Sequence, residues 1–579
     1  MTNSKKSKKN ILEILEDRAK NTPDKEAFKF LVFYREQRKE YRLNFGELYE
    51  RVNTIADFLS KRNLQGERAI LLYPDGLEFI TSFLGCIAAG VVAVPLYHFR
   101  TKRKADRLKS IIADSNPAIF LSDSRNIKKL MEYSDDIDNS CENWVATDVI
   151  KNFAKPIDFS KYKGSDLAYL QYTSGSTSTP KGVMITHQNI IHNMEIINSH
   201  FGTNEDSLGV SWIPHYHDMG LIYTILHPIY VGYTQILMQP ADYISKPYRF
   251  YQIISEFRAN MFVMPNFAFD YSVNMITDTE KKNLDLSCVE IAGNGSEPIH
   301  IESMNCFYEF FKSTGFKKSA FLPGYGLAEA TLVVTTCDFD ESNTRLKVIN
   351  IDLEMFKMNK ICTLDYNRDG IVCCSSGVIR DDVTVKIVNP ETLEECKENF
   401  VGEIWTASPS VSAGYWQKTE LNSKIFCGHI HGSDTVSYLR TGDLGFINNK
   451  NLYVCGRLKD VLIIRGVNFY PNDIEYTVVS SVEEVNDNGC IAFTVRSDAD
   501  DEQLFIALEV LKTIEEVRAK EITRTIKKQI SEVYGLQVTG ILLLSRGKIP
   551  KTSSGKVQRS LCKEYYVSKK LETIFADVQ

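Results

Sequence analysis

The feature that most constrains this chain is a repeating alternation of short apolar runs, turns and helical spacings. Residues 68–73 (RAILLY) read as a buried strand and 74–76 (PDG) as a turn. Residues 77–89 carry helical spacing, and 90–96 read as a second strand. The pattern recurs, with a helix near 104–115, strands at 118–121 and 208–212, and a helix near 220–231. Further strands fit 234–238, 261–264, 288–291 and 320–322. Strands joined through helices must run parallel, and parallel sheets need both faces covered. The expected class is therefore α/β. From about residue 345 the texture changes to short strands with turns, at 384–388 and 402–405. The segment from about 460 mixes strands at 490–495, 504–510 and 541–544 with a helix carrying Ile522, Ile526, Ile530 and Val533 on one face. The expected organisation is a large N-terminal domain, with a β-rich subdomain about 345–458, and then a small α+β domain from about 460, with the boundary near 456–460.

One loop stands out within this frame. Residues 172–182 (YTSGSTSTPKG) follow an apolar strand at 166–171 and precede 183–191, which read as the start of a helix. Glycines, hydroxyls and a lysine between a strand and a helix can present backbone N–H groups to phosphate oxygens. The loop is not the Walker pattern, because Pro180 precedes Lys181 where that pattern has glycine. By composition alone, the stretch also fits a flexible surface linker.

Five further stretches carry chemistry. WIPHYHDMG (212–220) holds His215, His217 and Asp218 without a third strong ligand at metal spacing, which favours a histidine near a ligand over a metal site. AGNGSEP (292–298) is a glycine-rich turn. PGYGLAEAT (323–331) offers Tyr325 to stack on a base and Glu329 to hold Mg²⁺. YLRTGDLG (438–445) sets Asp443 in a tight turn, able to accept two ribose hydroxyls. GKIPKTSSGKVQR (547–559) places Lys556 in a Gly/Ser-flanked loop. Singly, each also reads as an ordinary loop cap or a solvated basic tail.

Composition removes several function classes. A net charge of -6 argues against nucleic-acid binding. Thirteen cysteines without a CxxC pair or paired framework read as reduced thiols, which points to the cytoplasm. Glu13, Glu16 and Asp17 interrupt the first apolar segment, so no secretory core is expected, and the longest apolar run, 84–97, is too short for stable membrane insertion.

In order and combination, these six stretches resemble the adenylate-forming superfamily of acyl-CoA synthetases, adenylation domains and luciferases. The resemblance covers roughly residues 12–565 and implies ATP and Mg²⁺ as cofactors. It places Thr173, Ser174, Gly175, Ser176, Thr177 and Lys181 near the ATP phosphates. Gly295, Ser296, Glu297 and Pro298, with Tyr325, Gly326 and Leu327, would border the nucleotide. Thr173 and Glu329 would lie near Mg²⁺, and Asp443 would bind the ribose with Arg457 assisting. His217 matches the histidine between the acyl and nucleotide pockets, Lys459 the hinge, and Lys556 the mobile catalytic lysine.

Spelling and spacing narrow the resemblance. About 48 positions separate Glu329 from Gly377. CoA-forming relatives cross this gap in roughly half that length, which implies an insertion on the order of 20–30 residues within 340–372. Such an insertion, with RGVNFYP (465–471), VGEIW (401–405) and GYW (414–416), resembles the fatty acyl-AMP ligase branch. One departure is VIRDD (378–382), where relatives have prolines. The branch implies a fatty acid substrate and an acyl carrier protein as acceptor, with the insertion restraining the small domain. The alternative is a fatty acyl-CoA synthetase. An amino-acid adenylation domain lacks support, since the aspartate near 212–220, Asp218, sits inside the motif. Intact Glu329, Asp443, Arg457 and Lys556 argue against an inactive scaffold.

Overall fold

The computed structural model describes residues 10–35, 37–97, 102–131, 143–151, 155–173, 180–338, 345–432, 436–465, 467–496, 502–512, 514–552 and 555–578. The predicted alternation folds into two sheets. The larger has eight strands, in the order Val333–Thr336, Phe321–Gly326, Ile291–Gly295, Met261–Pro265, Leu208–Ser211, Thr234–Met238, Glu26–Tyr34, Gln37–Asn44. Its interior pairs are parallel, and only the two edge pairs are antiparallel. The six-stranded sheet runs Trp144–Ala146, Ile119–Ser122, Arg68–Leu71, Val92–Pro95, Leu167–Tyr172, Gly182–Thr186, parallel except for the last pair. Helices such as Phe45–Ser60 and Leu77–Ala89 bury their apolar faces between the layers.

After these comes an antiparallel four-stranded meander, Thr384–Val388, Gly402–Ala407, Leu439–Asn448 and Asn451–Arg457. The last unit is a four-stranded sheet (Val485–Arg496, Glu502–Val510, Val538–Ser545, Phe575–Val578) covered by helices Pro471–Ser481 and Glu516–Tyr534. Its core, from Leu462 to Leu543, is separate from the main core, which runs from Ile11 to Leu452. The α/β class and the division into a large N-terminal and a small C-terminal domain are as expected.

Three expectations need correction. Residues 183–191 do not begin as helix. Gly182–Thr186 is a strand returning antiparallel against Leu167–Tyr172, with Val183 and Ile185 buried by alternation. The helix starts at His187, capped by the Thr186 side chain. The strand expected at 288–291 begins at Ile291 and runs on through the glycines to Gly295. On helix Glu516–Tyr534, Ile522, Ile526 and Ile530 are buried but Val533 is 42% exposed, and Tyr534 takes the fourth inward position.

The segment expected to be an insertion, 340–372, has regular structure where it is described. Residues 340–344 lie outside the described residues, and beyond them Val348–Ile351, Thr363–Leu364 and Ile371–Cys374 form a three-stranded sheet carrying helix Leu353–Lys357. It packs on the small domain. Phe356 stacks on Tyr470 at 4.7 Å, Lys357 Nζ donates to the Tyr534 carbonyl at 3.2 Å, and Leu353 joins the small-domain core.

Candidate active site

A cavity of about 1440 Å³ opens at the C-terminal ends of the parallel strands, where open α/β sheets place their ligands. Three signature stretches of the eight-stranded sheet reach it, two on neighbouring strands and the third beyond strand Met261–Pro265. Strand Leu208–Ser211 leads to His217, which caps helix Asp218–Leu221. Strands Ile291–Gly295 and Phe321–Gly326 pair in parallel, so 295–298 and 325–329 emerge together. Glycine is required at Gly326, where an added Cβ would lie 1.7 Å from the Leu332 carbonyl oxygen. On the neighbouring strand's exit, after Gly295, Ser296 takes φ +72° and lines the cavity.

Asp443 and Arg457 are opposed across the antiparallel pair of the meander. The Asp443 carboxylate accepts from the Tyr325 hydroxyl at 2.7 Å and lies 3.2 Å from Arg457 Nε. Asp443, with its neighbour Glu329, raises the Arg457 pKa against the effect of burial. Glu329 sits in a single helical turn, 328–330, and accepts from the Tyr415 hydroxyl at 2.7 Å. Tyr415 also faces Lys181, whose ammonium lies 5.3 Å from its ring centroid. Thr173 closes the strand before the loop, its carbonyl accepting from Arg107 at 2.7 Å. Ser174, Gly175, Ser176 and Thr177 lie outside the described residues.

Lys556 reaches the same cavity from the small domain. Its backbone N–H donates to Thr552 Oγ1 at 3.1 Å, and its carbonyl accepts from the Thr552 N–H at 2.8 Å. Burial lowers the Lys556 pKa, and Asp218 is the largest influence opposing it, with Glu297 and Asp443 adding to it. The reciprocal effect appears on Asp218. Burial would raise its carboxyl, but His217 Nδ1 at 2.7 Å and the Lys556 charge outweigh burial and bring it down to about 2. Glu297 is raised by burial, eased by the Phe267 N–H at 3.1 Å and by Lys556. Lys459 lines the cavity beside Arg457, its pKa lowered by burial and then by that neighbouring charge.

The structure therefore brings together Thr173, His217, 295–298, Tyr325, Gly326, Leu327, Glu329, Asp443, Arg457, Lys459 and Lys556, with Lys181 beside them. Tyr415, Asp218 and Arg559 were not read from sequence as site residues. Arg559 fixes the lysine loop, with Nε donating to Glu475 Oε1 at 2.7 Å and Nη1 to Asp460 Oδ2 at 3.3 Å. Its sequence signal was its place in the 547–559 stretch, three residues after Lys556. Among the described residues no cluster of three or more His, Cys, Asp or Glu side chains forms a metal centre. Among the described residues, Glu329 offers a carboxylate and Thr173 a hydroxyl near the loop. These are hard-oxygen donors of the kind that suits Mg²⁺ carried by a nucleotide.

Comparison with known proteins places the chain in a family. Residues 15–416 match the family described as AMP-binding enzyme, and 459–576 match the AMP domain of Disco-interacting protein 2-like proteins. The chain is 36% identical over 576 residues to the medium-chain-fatty-acid–[acyl-carrier-protein] ligase JamA of Moorena producens, covering 97% of this chain and 96% of that one. It is 34% identical to the long-chain-fatty-acid–AMP ligase FadD26 of Mycobacterium marinum, covering 97% of each. Among solved structures, the fatty acyl-adenylate ligase of L. pneumophila in complex with acyl adenylate and pyrophosphate is 34% identical. It covers 99% of this chain and 98% of that one, with a TM-score of 0.75.

Proposed function

Because the chain belongs to the AMP-binding enzymes and, among them, to the fatty acyl-AMP ligase branch, we propose that it activates a fatty acid with ATP to an acyl-adenylate. It then passes the acyl group to the phosphopantetheine thiol of an acyl carrier protein. The observation that carries this reading is the convergence of Lys556 from one domain with Asp443, Arg457 and Glu297 from the other on one cavity.

The chemistry follows from the charges. The fatty carboxylate is ionised at neutral pH and needs no general base. Its oxygen attacks the α-phosphorus, and pyrophosphate leaves. Negative charge on the equatorial oxygens is the main barrier, so a cation held in a dry site gives the largest benefit. Lys556 has that role. Burial strips its water, while Asp218 and Glu297 favour its charged form. Asp443 holds the ribose, since each carboxylate oxygen already engaged by Tyr325 or Arg457 keeps a lone pair for a hydroxyl. Residues 295–298 and Tyr325 border the adenine, and Gly326 and Leu327 continue that wall. Thr173 to Thr177 and Lys181 steady the departing pyrophosphate. Thr173 and Glu329 would hold Mg²⁺, which when bound neutralises phosphate charge. His217, whose Nδ1 lies 2.7 Å from Asp218 Oδ1, orients the incoming carboxylate by donating from Nε2–H.

The small domain starts at Lys459, which acts as the hinge, and the large domain spans 1–458. The insertion restrains the small domain, as its contacts at Phe356 and Lys357 suggest. That restraint favours a carrier-bound thiol over free CoA as acceptor. The relative from Moorena producens, named for its acyl-carrier-protein ligation, supports the same acceptor. A cytoplasmic location fits the free state of every cysteine among the described residues. No described helix is long and apolar enough to cross a membrane.

The test supplies purified protein with ATP, Mg²⁺ and fatty acids of graded length, with either CoA or a phosphopantetheinylated carrier. Acyl-AMP and acyl-carrier are expected. Abundant acyl-CoA would overturn the acceptor, and no pyrophosphate release with any fatty acid would overturn the activity.

A further inference from the structure

Helix Pro471–Ser481 of the small domain is held against the large domain at two points. Tyr470, just before its first turn, stacks on Phe356 of the insertion and donates its hydroxyl to Asn359 Oδ1 at 3.3 Å. In the second turn Tyr476 lies on His300, with ring centroids 4.5 Å apart and planes 11° apart. His300 occupies the N-cap position of helix Ile301–Phe311 of the large domain, its ring making no capping bond. Its backbone N–H donates to Asn266 Oδ1 at 3.2 Å, and Asn266 is itself tied to Ser303 and Asn294. The backbone that carries the imidazole is thus fixed to a rigid part of the frame. Burial brings the His300 pKa down to about 4, so the ring is neutral at physiological pH and the pair is a plain aromatic stack.

The same helix grips the lysine loop. Glu475, next in sequence to Tyr476, accepts from Arg559 through both oxygens, at 2.7 Å and 2.5 Å. Asn472, one turn earlier, accepts from Arg559 Nη2 at 2.5 Å. A forked, charge-assisted pair transmits position with little slack. Arg559 stands three residues from Lys556.

We propose that His300 and Tyr476 are positioning residues for adenylation, setting the place of Lys556 through Glu475 and Arg559. The inference rests on the role given to Lys556 above. Their effect should be confined to the first half-reaction. In the second, a thiol sulfur attacks the acyl carbonyl, the C–O bond to phosphate breaks, AMP leaves, and the thiol proton goes to solvent. No new charge develops on phosphorus there, so Lys556 has no task. A misplacement of about 1 Å can cost on the order of 100-fold where a charge must meet a transition state. Loss of one stack in an otherwise held helix should cost about three- to tenfold in rate.

The experiment measures the two half-reactions separately on the full chain, as pyrophosphate release with ATP and fatty acid and as transfer from supplied acyl-AMP to a phosphopantetheinylated carrier. His300→Ala and Tyr476→Ala should each lower kcat of the first about three- to tenfold, with the KM for ATP and the second half-reaction unchanged. The double variant should lose no more than either single one, because the two rings form one contact. Tyr476→Phe, which keeps the ring, should restore the rate and guards against a folding artefact. In a Lys556→Ala background, His300→Ala should have no further effect. Equal losses in both half-reactions, an additive loss on top of Lys556→Ala, or no loss at all would overturn the proposal. If Lys556→Ala itself leaves pyrophosphate release intact, the fault lies in the role given to the lysine rather than in the stack.

Discussion

Lys556 sits where burial and carboxylates pull its charge in opposite directions, and that tension makes it useful. A solvated ammonium would be screened, and one buried without Asp218 and Glu297 would lose its proton more readily. Lys556→Ala should therefore lower acyl-AMP formation by about 100- to 1000-fold. Calorimetry should still detect ATP binding, because Asp443 and Arg457 remain; near-normal pyrophosphate release would contradict the assignment. Asp443→Asn keeps the shape but gives up the charge opposite Arg457 and half of its acceptor capacity. It should raise the KM for ATP about tenfold in initial-rate assays, with a smaller effect on kcat; an unchanged KM would remove Asp443 from the ribose site. At this scale the sequence was legible wherever chemistry is written locally. Asp443 in its turn, Glu329 after its glycines and Lys556 in its loop all stand out within a few residues. Tyr415 did not, because its bond to Glu329 spans 86 positions and nothing near GYW announces it. Asp218 looked like part of a histidine motif until the fold placed Lys556 beside it.

Among the elements, the insertion has the clearest consequence. Its grip on the small domain rests on a few contacts, chiefly the Phe356–Tyr470 stack and the Lys357 bond to the Tyr534 carbonyl. Phe356→Ala combined with Lys357→Ala should loosen that hold. In the presence of CoA, the variant should form acyl-CoA above the parent's background while acyl-AMP formation falls less than tenfold. Chromatography of the thioester products decides this, and a variant still silent toward CoA would detach the insertion from acceptor choice. The parallel core was readable because strands and helices of ordinary length leave distinct apolar periods. The strand Gly182–Thr186 was not. Five residues ending at a helix cap look like a first helical turn, and only pairing with Leu167–Tyr172 separates the two. Val533 misled for a related reason. It keeps helical spacing with Ile522, Ile526 and Ile530, but in the last turn Tyr534 covers the sheet instead.

For the molecule as a whole, buried imidazoles set the response to acid. Burial holds His187 near 4 and His227 near 3, against an ordinary value of 6.5. His227 is locked between Tyr233 and Thr203. Below pH 6.5 the unfolded chain takes up protons that the native rings refuse. Stability is therefore level above 6.5 and falls as the pH drops toward the native values. By pH 5.5 each ring should cost about 1–1.5 kcal/mol. Urea midpoints at pH 7.5 and 5.5 should show that decline, and His227→Phe should lessen it; equal midpoints would mean these rings titrate normally.

The separation of the two hydrophobic cores, joined through the Lys459 region and a few side-chain contacts, has a thermodynamic counterpart. Two such bodies need not melt as one cooperative unit. Differential scanning calorimetry of the free protein should resolve two overlapping heat-absorption peaks, the smaller belonging to the C-terminal body. A tightly bound acyl-adenylate mimic touching both Asp443 and Lys556 stabilises only the joined arrangement, so it should draw the peaks upward and together. The degree of merging then measures directly how much of the ligand's binding free energy is held across the gap between the two bodies.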